Sequence, residues 1–185
     1  MARPGAAGRP AGLAPLPPQR KWLAITLATL VFLPGYWFLV NGLVVTATGT
    51  GEGAGPLVAF GLASVPFVFL ALAFLSGHPR APGATVLAMT LALLAGIPVS
   101  ALARDAVTGI VAGMGAGGIV ALRADLVHDR RYRALAVAAV ATIVFLLLRV
   151  DISVALLLAP ALPFSAIGVA DHLTERRAED RSTGP

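Results

Sequence analysis

Between Trp22 and Ala170 the chain is almost unbroken hydrocarbon, interrupted only by short polar connectors. That pattern restricts the fold more than any motif does. In a bilayer, backbone N–H and C=O groups find no water, so each apolar run must satisfy its own hydrogen bonds as a helix. Hydrophobic side chains make up 57% of the 185 residues and charged ones only 12%. With a mean hydropathy of +0.85 the chain lies outside the range of soluble domains. The expected fold is an all-α polytopic transmembrane bundle.

Six spans account for the runs, at about 22–47, 57–75, 84–103, 106–122, 134–148 and 152–170. The last two come from one apolar stretch, Ala134 to Ala170. A single helix of that length would rise about 55 Å, nearly twice the hydrocarbon thickness of about 30 Å. Arg149 to Ile152 is therefore the hairpin between them. Pro34-Gly35, Pro66, Pro98, Pro160 and Pro163 fall inside spans and mark expected bends. Residues 1–21, basic and rich in Pro, Gly and Ala, read as a disordered tail. The first apolar run is too long for a signal-peptide core and stays as an uncleaved span. Residues 171–185 form a charged second tail, helical only at its start.

Counting basic residues sets the orientation. With six spans, both tails and the second and fourth connectors share a side and hold twelve of the 14 basic residues, leaving only Arg104 and Arg149 opposite. The positive-inside rule then makes both termini cytoplasmic. The +5 charge is explained by this topology, so no nucleic-acid partner is expected.

Within span four, AVTGIVAGMGAGGIVAL sets Gly109, Gly113 and Gly117 four residues apart, on one helical face. Interior glycines weaken a helix in water, but in hydrocarbon they let a second helix approach backbone to backbone. These three are the expected helix-packing residues, and the bland alternative is the general abundance of small residues in this chain. Asp105 stands where an N-cap of that helix belongs. Asn41 is the one intramembrane amide, and it suits either an interhelical hydrogen bond or a ligand contact. Arg123, Arg130, Arg131 and Arg133, in the most charged internal loop, fit anionic lipid headgroups.

Catalytic and metal constellations are weak. Cysteine is absent, no G-x-S-x-G occurs, and Asp125, His128 and Asp129 form only a loose D-x-x-H-D. Glycines in TGTGEGAGP (residues 48–56) lack the lysine and the strand-to-helix setting of a phosphate loop. No cofactor, metal or catalytic residue is assigned, and the chain is read as a non-enzyme.

The runs VPFVFLALAFLSGHPRAPGA and GIPVSALARDAVTGIVAGMGAGGIVALRAD, with LAPALPFSAIGVADHL, resemble small multi-pass integral membrane proteins of high-GC Gram-positive bacteria. That resemblance covers most of residues 57–173. It implies a bacterial plasma membrane and no particular activity. More loosely, the architecture is similar to the six-span substrate-binding components of energy-coupling-factor vitamin transporters, whose ligand motifs have no match here.

Three functions are thus expected in order. The first is a non-enzymatic membrane protein acting through helix packing, as a homo-oligomer or an accessory subunit of a membrane partner. The second is a transport component for a small, largely neutral solute. The third is a lipid-acting enzyme resting on Asp125, His128 and Asp129.

Overall fold

The computed structural model describes the backbone of residues 16–49, 53–123 and 127–183 and, of these, the side chains outside 127–129 and 178–183. Arg3, Arg9, Glu52 and Asp125 lie outside the described residues, as do the side chains of His128 and Asp129. Among the described residues seven helices follow one another: α1 (Pro18–Thr48), α2 (Ala54–Leu75), α3 (Ala81–Ala103), α4 (Ala106–Ala121), α5 (Val127–Val150), α6 (Ile152–Leu158) and α7 (Leu162–Thr183). No strand occurs among the described residues.

Helices α1, α2, α3 and α5 are long and apolar enough to cross a membrane, and the bent pair α6–α7 makes a fifth candidate. This is a membrane protein. The remaining apolar helix, α4, has 16 residues and rises about 24 Å, shorter than a full hydrocarbon thickness of about 30 Å, so length and composition by themselves give four to five spans.

Several boundaries differ from those the composition suggests. Pro18 to Lys21 are helical rather than part of a disordered tail, since Pro at the first helical position loses no hydrogen bond there. Helix α5 starts at Val127 and absorbs the second half of the charged loop. Helix α7 runs on to Thr183, so the charged C-terminal segment is helical nearly throughout. Pro34, Pro66 and Pro98 sit inside continuous helices. The chain's last apolar stretch breaks twice, at Asp151 between α5 and α6, as expected, and again at residues 159–161 around Pro160, where α6 and α7 meet at a 62° bend.

Two devices terminate helices. Asp105 caps α4, its carboxylate accepting from the Thr108 amide at 2.6 Å and from the Thr108 hydroxyl at 2.9 Å. Asp151 caps α6 in the same way, through the amides of Ser153 and Val154. Arg104, directly after α3, and Arg123, two residues past the end of α4, take left-handed conformations, with φ of 55° and 59°. Only these two positions outside glycine do so among the described residues.

Close packing rests on small residues. On α4, a Cβ at Gly109 would sit 2.7 Å from the Gly96 carbonyl oxygen, one at Gly113 2.6 Å from that of Ala92, and one at Gly117 2.7 Å from that of Ala88. Ala88, Ala92, Gly96 and Ser100 recur every four residues, so α3 presents a matching row. A second seam joins α1 and α2. There a Cβ at Gly42 would meet the Val58 amide nitrogen at 2.9 Å, and one at Gly61 the Gly35 carbonyl oxygen at 2.8 Å. Helix α4 is central: Gly115 faces Val137 of α5, while Gly118 faces Phe164 and Ile167 of α7. Large side chains fill the space left over, with Phe32, Tyr36, Phe69, Leu72 and Phe164 fully buried. Phe32 meets Phe164 edge-on, ring centres 6.2 Å apart.

Candidate functional site

Polar chemistry gathers at one end of the bundle, where helix ends rather than helix middles meet. Lys21 comes from the first turn of α1, Arg133 from the second turn of α5, and Asp171 and Glu175 from one face of α7, four residues apart. The Arg133 guanidinium grips Asp171 in two places, Nε on Oδ1 and Nη2 on Oδ2 at 2.7 Å. Lys21 Nζ lies 3.2 Å from Asp171 Oδ2 and 2.7 Å from Glu175 Oε1. Arg133 Nη1 also donates to the Ile119 carbonyl at 3.3 Å, meeting an orphan carbonyl near the negative end of α4.

Two cations and two carboxylates balance within this cluster. The side chains of Lys21, Arg133 and Asp171 are only 7%, 5% and 3% exposed, whereas Glu175 is 45% exposed. Desolvating three charges is costly unless geometry and extra hydrogen bonds compensate, and the forked Arg–carboxylate contact is the strongest available form. Each of the three buried residues directly flanks an apolar run, so in sequence each looks like a solitary interface charge. The signal that finds them is the Asp171/Glu175 spacing on a helix that does not stop at Ala170.

Arg133 is therefore not an anionic-lipid contact: its guanidinium is buried on Asp171. Arg131 is exposed, Arg130 is exposed and Arg123 is half-buried. The last two line a groove of about 570 Å³, with His78 beside them and Leu87, Leu91, Ile119 and Val120 as apolar walls. Arg20 is close by. A Cβ at Gly77 would lie 3.2 Å from Arg20 Nη2 and 3.9 Å from Arg123 Nη1. Arg20 Nε further donates to the Leu75 carbonyl at 3.0 Å, and the buried Ser76 hydroxyl is 3.0 Å from the Ala121 carbonyl oxygen, tying α1, α2 and α4 together.

Asn41 points away from every such cluster. It is exposed on α1, and its amide nitrogen donates to the Trp37 carbonyl one turn back, at 2.8 Å. The interhelical hydrogen bond considered for it is not made. Gly109, Gly113 and Gly117 are spent on α3 and Phe69 within this same chain. Compared with protein-family models, with curated proteins and with solved structures, the chain matches none.

Proposed function

We propose that this is a non-enzymatic protein of a bacterial plasma membrane that crosses six times, keeps both termini in the cytoplasm, and serves as an accessory subunit through its helix surfaces. One observation carries the choice of accessory over transporter. Thr29, Asn41, Thr46, Ser64, Thr85, Thr90 and Thr142 each donate to a carbonyl three or four residues back on their own helix. Such groups are locally satisfied and do not converge on a solute path.

The Lys21–Glu175 pair supports the topology, because it holds the start of α1 and the later part of α7 at one end of the bundle. Arg20, Arg123, Arg130 and Arg133 gather there too, which suits a cytoplasmic face. Copies of the chain meeting through the glycine face would have to displace α3. Association instead has the outward side of α3 at its disposal, where Leu94, Ile97 and Leu102 are 66%, 65% and 85% exposed.

The 62° break between α6 and α7 favours the second reading, a transport component, since broken helices line solute paths in many transporters. Native mass spectrometry of the protein extracted gently from its own membrane separates the two. A stable stoichiometric complex supports the accessory role. A lone chain, with or without a retained small molecule, overturns it.

A further inference from the structure

Four helices carry a charged or aromatic residue at the same distance from the ion cluster. Lys21, Ser76, Ala121 and Arg133 share one end of the bundle: Lys21 pairs with Asp171, Arg133 donates to the Ile119 carbonyl, the Ser76 hydroxyl to that of Ala121, and Arg20 to that of Leu75. Sixteen residues along α1 from Lys21 stands Trp37, and sixteen back along α2 from Ser76 stands Phe60. Sixteen back along α4 from Ala121 is Asp105, and sixteen along α5 from Arg133 is Arg149. Each separation is a helical rise of about 24 Å. Phe38 and Phe60 join α1 to α2 at that height, packed edge-on with ring centres 4.7 Å apart. Trp22 and Trp37 are the chain's two tryptophans, both exposed, and they bracket nearly the same interval on α1. Aromatic residues placed in this way mark the two edges of a hydrocarbon layer.

At the far level the charges do not reach further out. Arg149 bends back one turn toward the cluster end, its Nη1 donating to the Phe145 carbonyl at 2.9 Å and its guanidinium stacked on the Phe145 ring. The carboxylates of Asp105 and Asp151 are held on helix caps. An ordinary layer of about 30 Å would therefore close over Asp105, Arg149 and Asp151, and charges in hydrocarbon cost more than thinning the layer by a few ångströms. Asn41, Thr46 and Thr48 all follow Trp37 on α1, so a thinner layer leaves these polar groups outside hydrocarbon as well.

We infer that this protein fits a hydrocarbon layer about 24 Å thick and takes short-chain lipids around itself in preference to ordinary ones. The fit rests on the six-span reading, because α4 must cross for Asp105 and Ala121 to mark opposite faces. It does not depend on the accessory role, which the extraction experiment above tests separately.

The test reconstitutes the full chain in phosphatidylcholine vesicles whose monounsaturated chains run from fourteen to twenty-two carbons. Quenching of Trp22 and Trp37 by brominated eighteen-carbon lipid, in competition with unbrominated lipid of each length, reads relative affinity. Affinity should peak at fourteen or sixteen carbons and fall about threefold by twenty-two. A peak at eighteen carbons or beyond, or no dependence on length, overturns the inference. Sidedness is read separately in intact expressing cells, since the chain lacks cysteine and single ones can be introduced. Leu102→Cys near the end of α3 and Arg131→Cys in the early part of α5 both replace exposed residues. One should react with an impermeant maleimide in intact cells and the other only after the membrane is opened. Reaction of both from one side removes the crossing by α4 and overturns the six-span reading and the fit together. Opposite sides with a long-chain optimum overturn the fit alone.

Discussion

Asp171 is the single acceptor that both buried cations share, so neutralising it tests the cluster most directly. In Asp171→Asn the side chain keeps its shape but loses its charge. Arg133 then faces an amide in place of a carboxylate, and Lys21 is left with Glu175 alone, a partner 45% exposed. Breaking a buried ion pair from one side costs about 3–5 kcal/mol, because the surviving charge stays desolvated and uncompensated. Here part of that loss is recovered, since Arg133 Nη1 keeps the Ile119 carbonyl and Lys21 keeps Glu175. About 3 kcal/mol is the expected cost, at the lower end of that range. Glu175→Gln, which removes only a half-exposed partner, should cost at most about 1 kcal/mol. Removing both sides together, Asp171→Leu with Arg133→Met, should cost much less than Asp171→Asn, since no charge is then stranded on that contact. The assay is reversible unfolding in mixed micelles, followed by helix content against the mole fraction of denaturing detergent. If Asp171→Asn and Glu175→Gln lose stability equally, the cluster is not a desolvated unit and the reasoning fails.

The same unfolding assay checks the other predictions. Gly113→Ala should destabilise by about 1–3 kcal/mol, because its Cβ would lie 2.6 Å from the Ala92 carbonyl oxygen, while Gly83→Ala, with nothing within 4 Å, should gain about 0.5–1 kcal/mol. Arg104→Gly should stabilise by about 1 kcal/mol, since the φ of 55° that ends α3 is costly for a residue with a Cβ. Tyr36→Phe should be neutral or stabilising by about 1 kcal/mol, as the buried Tyr36 hydroxyl has no hydrogen-bond partner among the described residues. A clear loss of stability in Tyr36→Phe would reveal a partner for that hydroxyl.

Sequence alone determined what is local in this protein. Apolar runs in hydrocarbon must become helices, so the presence of α1 to α5 and the turn at Asp151 were readable, as was Asp105 as an N-cap. Helix ends were less readable, because Pro18–Lys21, Val127–Arg133 and Asp171–Thr183 are polar enough to look like loops yet continue helices begun elsewhere. The glycine row of α4 was visible, but not its occupant. Ala88, Ala92, Gly96 and Ser100 carry the same spacing, and only the two-residue turn at Arg104–Asp105 lays that row against Gly109, Gly113 and Gly117. The α1–α2 seam went unread, because Gly35, Gly42 and Gly61 do not fall at a four-residue interval. What tertiary structure alone decided is the ion cluster. Arg133 and Asp171 are 38 residues apart and Lys21 and Glu175 are 154 apart, and Lys21, Arg133 and Asp171 are each by themselves an ordinary charge at the end of an apolar run. Backbone hydrogen bonding acts within a few residues and leaves its mark in composition. Desolvation and charge pairing depend on which helix ends arrive together, and in this bundle that convergence turns three separate interface charges into one buried contact with Glu175 at its edge.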